Sequence, residues 1–207
     1  MTNALLLRRR GMMQATPALP YDSKVSYLET TGAQRVITDI VVPNTNTEIK
    51  VYSILKDTSG SSTSRVIVSS GGSGKSAALQ FYASSGRWFV GTTSIIKSNS
   101  VFQSVTAIRK GADNTNSIEI SGGGANNGTD NGRDASDQYI VLSAFYSGNL
   151  KSNNQQNKII SIHFDNLIVA RMIPVRVGTV GYWYDEINNK MWRSDTGTDY
   201  IAGPDIQ

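Results

Sequence analysis

The sequence predicts an all-β protein, a two-sheet antiparallel sandwich or jelly roll with an extended N-terminal arm, and three observations carry that expectation. Nineteen glycines, abundant Ser, Thr and Asn, and only four Glu (Glu29, Glu48, Glu119 and Glu186) make a poor recipe for helices. From Tyr21 onward, short runs rich in Val, Ile, Tyr and Thr recur with turn residues between them. A chain of 207 residues is long enough for one substantial core, and sandwiches commonly reach this size as one domain.

In chain order, the expected strands are 23–29, 34–42 (QRVITDIVV), 47–56 (TEIKVYSILK), 64–70, 77–83, 86–92, 101–109, 116–121, 138–146, 157–164, 167–174, 178–184 and 190–194. Their number and spacing suit a sandwich better than alternating βα units. The stretch RVIVSSGGSGKSAALQFYA, residues 65–83, imitates a strand leading into a phosphate-binding loop at Gly74, Lys75 and Ser76. That loop needs an earlier glycine where Ser69 stands, and a helix beginning at Lys75. Instead Leu79 and Phe81 alternate with Gln80 and Tyr82 before a Ser84-Ser85-Gly86 turn, which describes a hairpin. Residues 121–137, SGGGANNGTDNGRDASD, are of low complexity and are expected to form an exposed loop.

Residues 1–20 read as an anchoring arm and linker, and residues 21–207 as the folded domain. The arm carries Leu5, Leu6 and Leu7, then Arg8, Arg9 and Arg10, then Met12 and Met13. Two readings fit it equally. One is a docking arm whose apolar residues insert into a partner while its arginines pair with acidic groups; the other is a solvated terminus. Apolar residues precede the arginines, the reverse of a secretory signal, so export is not expected. Thr16-Pro17-Ala18-Leu19-Pro20 is a short stiff linker.

Charge and cysteine usage exclude several function classes. The net charge of +4 is modest, and three of the twenty basic residues lie in the arm, so nucleic acid is not an expected partner. No apolar run approaches the length needed to span a bilayer, so no membrane is expected. Without cysteine there is neither a disulfide framework nor a thiolate metal site. His163 is the lone histidine and points with Ser161 away from the apolar row Ile160, Ile162 and Phe164, a surface position without triad or zinc partners. Asp130, Asn131, Asp134 and Asp137 offer hard oxygen ligands for calcium, but D-N-G-R-D lacks the order of an EF-hand loop. No metal and no cofactor is expected.

Two stretches carry a family resemblance. Near the start, YLETTGAQRVITDIVVPNTNTEIKV presents Tyr27, Glu29, Gly32, Gln34, Ile37 and Thr38, with Asp39-Ile40 where Thr-Gly is usual. Near the end, Pro174, Gly181, Tyr184, Asp185, Asn188, Gly197, Thr198, Tyr200 and Gly203 follow in order, with Asp199 replacing the second glycine of a G-T-G. Both stretches resemble the two ends of a concanavalin A-like lectin/glucanase domain, of the LamG-like jelly-roll type common in gut Bacteroidetes and their phages. The resemblance implies a concanavalin A-like jelly roll and marks a fold better than an activity. Glucanases of that superfamily carry an E-x-D-x-x-E strand, and none of the four Glu has that context, so no catalytic residue and no enzyme is expected.

The function expected from the resemblance and the arm together is a non-enzymatic virion protein of a bacteriophage, a decoration of capsid or tail. Its partners would be other virion proteins in a multicopy or homo-oligomeric assembly, with host or mucosal carbohydrate as a further ligand. The alternative is a bacterial carbohydrate-binding module, with a glycoside hydrolase behind it. Asp185-Glu186-Ile187-Asn188-Asn189-Lys190 reads as a structural hairpin loop whose Asp and Asn side chains bond nearby backbone. Alternation in the strand before it puts Tyr182 and Tyr184 on one face and Trp183 on the other. With the tyrosines toward the core, Trp183 faces outward, and Trp88 and Trp192 complete a candidate sugar-stacking platform.

Overall fold

A computed structural model describes residues 18–43, 45–55, 65–70, 79–84, 87–90, 93–96, 102–110, 115–121, 124–129, 138–144 and 153–207. The strands are β1 (Ser23–Lys24), β2 (Leu28–Thr31), β3 (Val36–Val42), β4 (Thr47–Leu55), β5 (Arg65–Ser70), β6 (Leu79–Ser84), β7 (Arg87–Val90), β8 (Thr93–Ile96) and β9 (Gln103–Lys110). They continue with β10 (Thr115–Ile120), β11 (Ala125–Thr129), β12 (Gln138–Leu142), β13 (Asn153–Phe164), β14 (Leu167–Val177), β15 (Val180–Asp185), β16 (Lys190–Trp192) and β17 (Tyr200–Ala202). The described residues are therefore all-β. The arm residues Leu5, Leu6, Leu7, Arg8, Arg9, Arg10, Met12 and Met13 lie outside them, as do Gly74, Lys75, Ser76 and the acidic residues of 130–137.

The strands form two antiparallel sheets. The larger runs β1-β14-β15-β17-β2-β13-β4-β9-β10-β11 with β16 on β15, and the smaller runs β3-β12-β5-β6-β7-β8. Inward side chains of both meet in one apolar cluster: Ile49 and Val51 of β4, Ile160 and Ile162 of β13, Trp183 of β15, Val68 of β5, Trp88 of β7 and Leu142 of β12. Alternation explains the placement, since β4 turns Ile49, Val51 and Ser53 inward and Lys50 and Tyr52 outward. The hairpin expected from LQFYA to RWFV is present as β6 and β7, paired from Phe81↔Val90 to Ser84↔Arg87. Leu79 begins a strand rather than a helix, which removes the structural context a phosphate loop requires.

One feature of topology differs from two open sheets. Because β13 also pairs with β14, the strands β14-β15-β17-β2-β13 close into a ring of five within the larger sheet. The ring brings the two motif-bearing stretches together, for β17 lies between β15 and β2. Gln34 ties the motifs further: its Nε2 donates to the Asp199 carbonyl at 2.8 Å, and its Oε1 accepts from the Thr31 N–H at 2.8 Å. At Gly181 a β-carbon would stand 2.6 Å from Leu28 Cδ2 and 3.1 Å from the Tyr200 carbonyl, so only glycine lets β15 approach β2 and β17 this closely. Paired spacing of the two terminal motifs thus has a packing cause.

Other expectations are corrected in detail. The run 23–29 is broken at Val25, which bridges to Asp205, so β1 and β2 serve different neighbours. Part of the low-complexity stretch is a strand after all, since β11 pairs with β10 from Thr115↔Thr129 to Glu119↔Ala125. An edge strand of this kind needs only its backbone, and the side chains of Ala125, Asn126 and Asn127 are exposed. Strands β8 and β17 lie outside the expected runs, because TSII and YIA are too short to show a period.

The C-terminal tail is held to the sheet by Arg176, whose Nε and Nη2 each donate to Asp205 at 2.6 Å. That pairing holds the Asp205 carboxyl below its ordinary value. A depressed carboxyl contributes stability that is present above the unfolded value, about 3.9 for Asp, and is lost as pH falls through the folded one. The Ile206 N–H donates to the Lys24 carbonyl beside this pair. Acidification through that range is therefore expected to lower the protection of Ile206 against hydrogen exchange, relative to the intrinsic rate at each pH, before the core amides respond, and equal protection of Ile206 at neutral and acid pH would contradict it.

Candidate functional site

The site begins with an irregularity in β13. Asn157 pairs with Ser53 of β4 and Ile159 pairs with Tyr52, which leaves Lys158 as the extra residue of a β-bulge. Before the bulge, Gln155 and Asn157 face inward, and Asn157 Oδ1 accepts from the buried Ser53 hydroxyl at 2.6 Å. After it, Ile160 and Ile162 face inward. Lys158 and Ile159 consequently leave the sheet on the same side, away from the core. At the same point β13 changes partner, from β2 along 153–157 to β14 along 160–164. The fork between β2 and β14 opens a cleft.

That cleft has a volume of about 340 Å3, and Lys24, Tyr52, Lys158, Arg171, Glu186 and Ile206 are among its walls. A shallower groove of about 400 Å3 continues from it past Lys50, Ser104 and Ser161, sharing Tyr52 and Ile159. Tyr52 is 36% exposed. Its ring stands 5.3 Å from that of Phe102, tilted by 42°. The Lys158 ammonium lies 4.0 Å from the Phe102 centroid and 5.2 Å from that of Tyr52, a cation held against two ring faces.

Two carboxylates border the groove, and cations hold each of them. Glu186 accepts from Lys24 at 3.1 Å and lies 3.5 Å from Arg171 Nε. Glu48 lies 2.7 Å from Lys50 Nζ and 3.3 Å from His163 Nδ1. Burial lowers the His163 value, with Glu48 opposing and Lys50 reinforcing the shift, so the imidazole is neutral near pH 7. His163 is on the outward face as its phase in β13 predicts. Along the groove Lys24, Lys50, Lys158 and Arg171 outnumber Glu48 and Glu186, four against two.

No protein family model matches the sequence, and no curated protein matches it. Among solved structures, the crystal structure of the SPRY domain of human HERC1 is similar, with a TM-score of 0.40 and 14% identity over 68% of this chain and 88% of that one. A likeness at that level assigns no function.

The tryptophan platform expected from alternation is not on the surface. Trp183 is fully buried and Trp88 is 1% exposed, both inside the main core. Alternation itself holds in β15, but both of its faces are covered. Trp183 enters the space between the sheets, while Tyr184 packs on the other side with Tyr21, Ile173 and Val175, and Tyr182 and Met191 lie against that second cluster. Trp192 is half-buried against the core, with Lys190 Nζ 4.4 Å from its ring centroid. The three tryptophans make no common platform.

The loop after β15 is structural, as its residues predict. Buried Asp185 accepts from the N–H of Arg171 at 3.1 Å and of Ile187 at 3.0 Å, and from Asn188 Nδ2 at 2.6 Å. Asn189 takes a left-handed φ of 53° and accepts from the Tyr184 hydroxyl at 2.9 Å. The residues that sequence reasoning missed are Tyr52, Phe102 and Lys158. The alternation of TEIKVYS shows Lys50 and Tyr52 on one face, but nothing in the local sequence announces the bulge at Lys158.

Proposed function

We propose that this chain is a non-enzymatic, lectin-like domain of the concanavalin A-like jelly-roll type, which binds glycans on the outward face of its larger sheet and serves as a multicopy part of a bacteriophage particle. The observation that carries the binding reading is the Tyr52–Phe102 pair beside an open groove. Aromatic faces suit the apolar C–H faces of sugar rings, and a groove open along its length accepts a polymer. The non-enzymatic part rests on the sequence, in which no Glu stands in an E-x-D-x-x-E strand, and on Glu48 and Glu186 being engaged by lysines.

The virion setting rests on the resemblance of the two terminal motifs and on the arm, in which Leu5–Leu7 and Met12–Met13 would insert into capsid or tail while Arg8–Arg10 pair with acidic groups. A single stacked ring contributes on the order of 1 kcal/mol, so one site binds weakly and many copies are needed. A glycan array probed with multimerised protein is expected to show binding that drops about fivefold per site in Tyr52→Ala, with an unchanged melting curve. Absence of signal for every glycan would remove the binding role. Absence of the chain from purified particles, sought by mass spectrometry, would remove the virion role independently.

A further inference from the structure

We propose that the glycan is an acidic polysaccharide, one whose sugar units carry carboxylates, and that Lys158 is the residue that reads the charge. This rests on the glycan-binding reading and specifies its ligand class. Three of the four groove cations already have carboxylate partners: Lys24 and Arg171 share Glu186, and Lys50 has Glu48. Lys158 has none among the described residues; only the Phe102 and Tyr52 rings hold its ammonium. A cation in that position keeps its capacity to donate hydrogen bonds to an incoming anion, while the rings restrict where it points.

The backbone shows that this placement is built in. Counted back from Ile160 and Ile162, Lys158 has the phase of a core residue, and counted forward from Asn157 an outward one; the bulge between Asn157 and Ile159 reconciles the two by turning Lys158 and Ile159 out together. With it, Lys158 emerges next to Ile159 at the fork of β2 and β14, above the exposed edge of Tyr52. A sugar lying against Tyr52 would set its carboxylate within reach of the Lys158 ammonium, and the excess of cations along the groove favours a repeating anion over a neutral chain. Nucleic acid fits less well, since Glu186 lines the cleft and Glu48 is paired with Lys50 of the groove, and both would oppose a phosphate backbone.

The test uses the full chain, multimerised, with polygalacturonate, hyaluronate and polysialic acid as probes, each beside its methyl-esterified form, and with dextran and single-stranded DNA as controls. At least one acidic polymer is expected to bind. Esterification, or Lys158→Gln, should weaken that binding about tenfold, the size of one charge-assisted hydrogen bond, while Lys158→Arg retains most of it and melting is unchanged in both variants. Equal binding of esterified polymers or dextran would overturn the acidic ligand and leave the glycan reading standing. Binding sensitive to esterification but indifferent to Lys158→Gln would overturn the role of Lys158. Preference for DNA would replace the ligand class, and no binding to any polysaccharide would end both readings.

Discussion

Trp183→Ala is expected to destabilise the protein by about 3–5 kcal/mol, a large share of the roughly 5–15 kcal/mol that an ordinary domain has. The indole is fully buried between the sheets, and its ring meets that of Tyr200 edge to face, with centroids 6.3 Å apart and planes at 77°. On the backbone it sits where β14, β15 and β16 meet, opposite Pro174 on one side and Trp192 on the other. Removing it leaves a cavity bounded by two strands of the closed ring, which can collapse only by breaking sheet hydrogen bonds. Denaturant unfolding checks this directly. A variant with the parent's midpoint and slope would place the side chain outside the core; loss of glycan binding without loss of fold would return it to the surface.

The second large effect is expected at Asp185. Its carboxylate is 1% exposed and accepts from two backbone N–H groups of different segments, those of Arg171 and Ile187, as well as from the Asn188 amide. Asp185→Ala removes the buried acceptor that these part-buried donors share, at a cost of about 1–3 kcal/mol. Asp185→Asn keeps one carbonyl oxygen and should lose less. The effect reaches the groove, because Glu186 follows Asp185 directly and its side chain holds Lys24 and Arg171. Hydrogen exchange at Arg171 should therefore rise along with the drop in unfolding midpoint. An alanine variant with full protection at Arg171 would show that another group supplies the acceptor.

Much of this architecture was legible in the residues themselves. Alternation along TEIKVYSIL and IISIHF, and the turn chemistry of Asp185 to Lys190, are local properties that need only a period and a side-chain bond to nearby backbone. They determine that the described residues are all-β, that Leu79–Ser84 and Arg87–Val90 pair as a hairpin, and that His163 faces outward. What lies on each face of a strand is a different kind of fact. Alternation separates Trp183 from Tyr182 and Tyr184, yet it cannot say that Ile173, Val175 and Tyr21 bury Tyr184 on one face while the main core buries Trp183 on the other.

The same limit governs the site. Tyr52 and Lys50 follow from period two, but alternation gives Lys158 a core phase counted from Ile160 and an outward one counted from Asn157, and only the bulged pairing of β13 with β4 decides that it turns out. That pairing is non-local: β13 must match β4 along its whole length while passing from β2 to β14 on its other edge, and the bulge lies where the two registers meet. Local residue patterns were enough for the longer strands and for the charges on their outward faces. The tertiary structure decided which aromatic rings remained in contact with water and where a lysine was brought to stand over them, because register between distant strands is set by the packing of both sheets and not by any one strand.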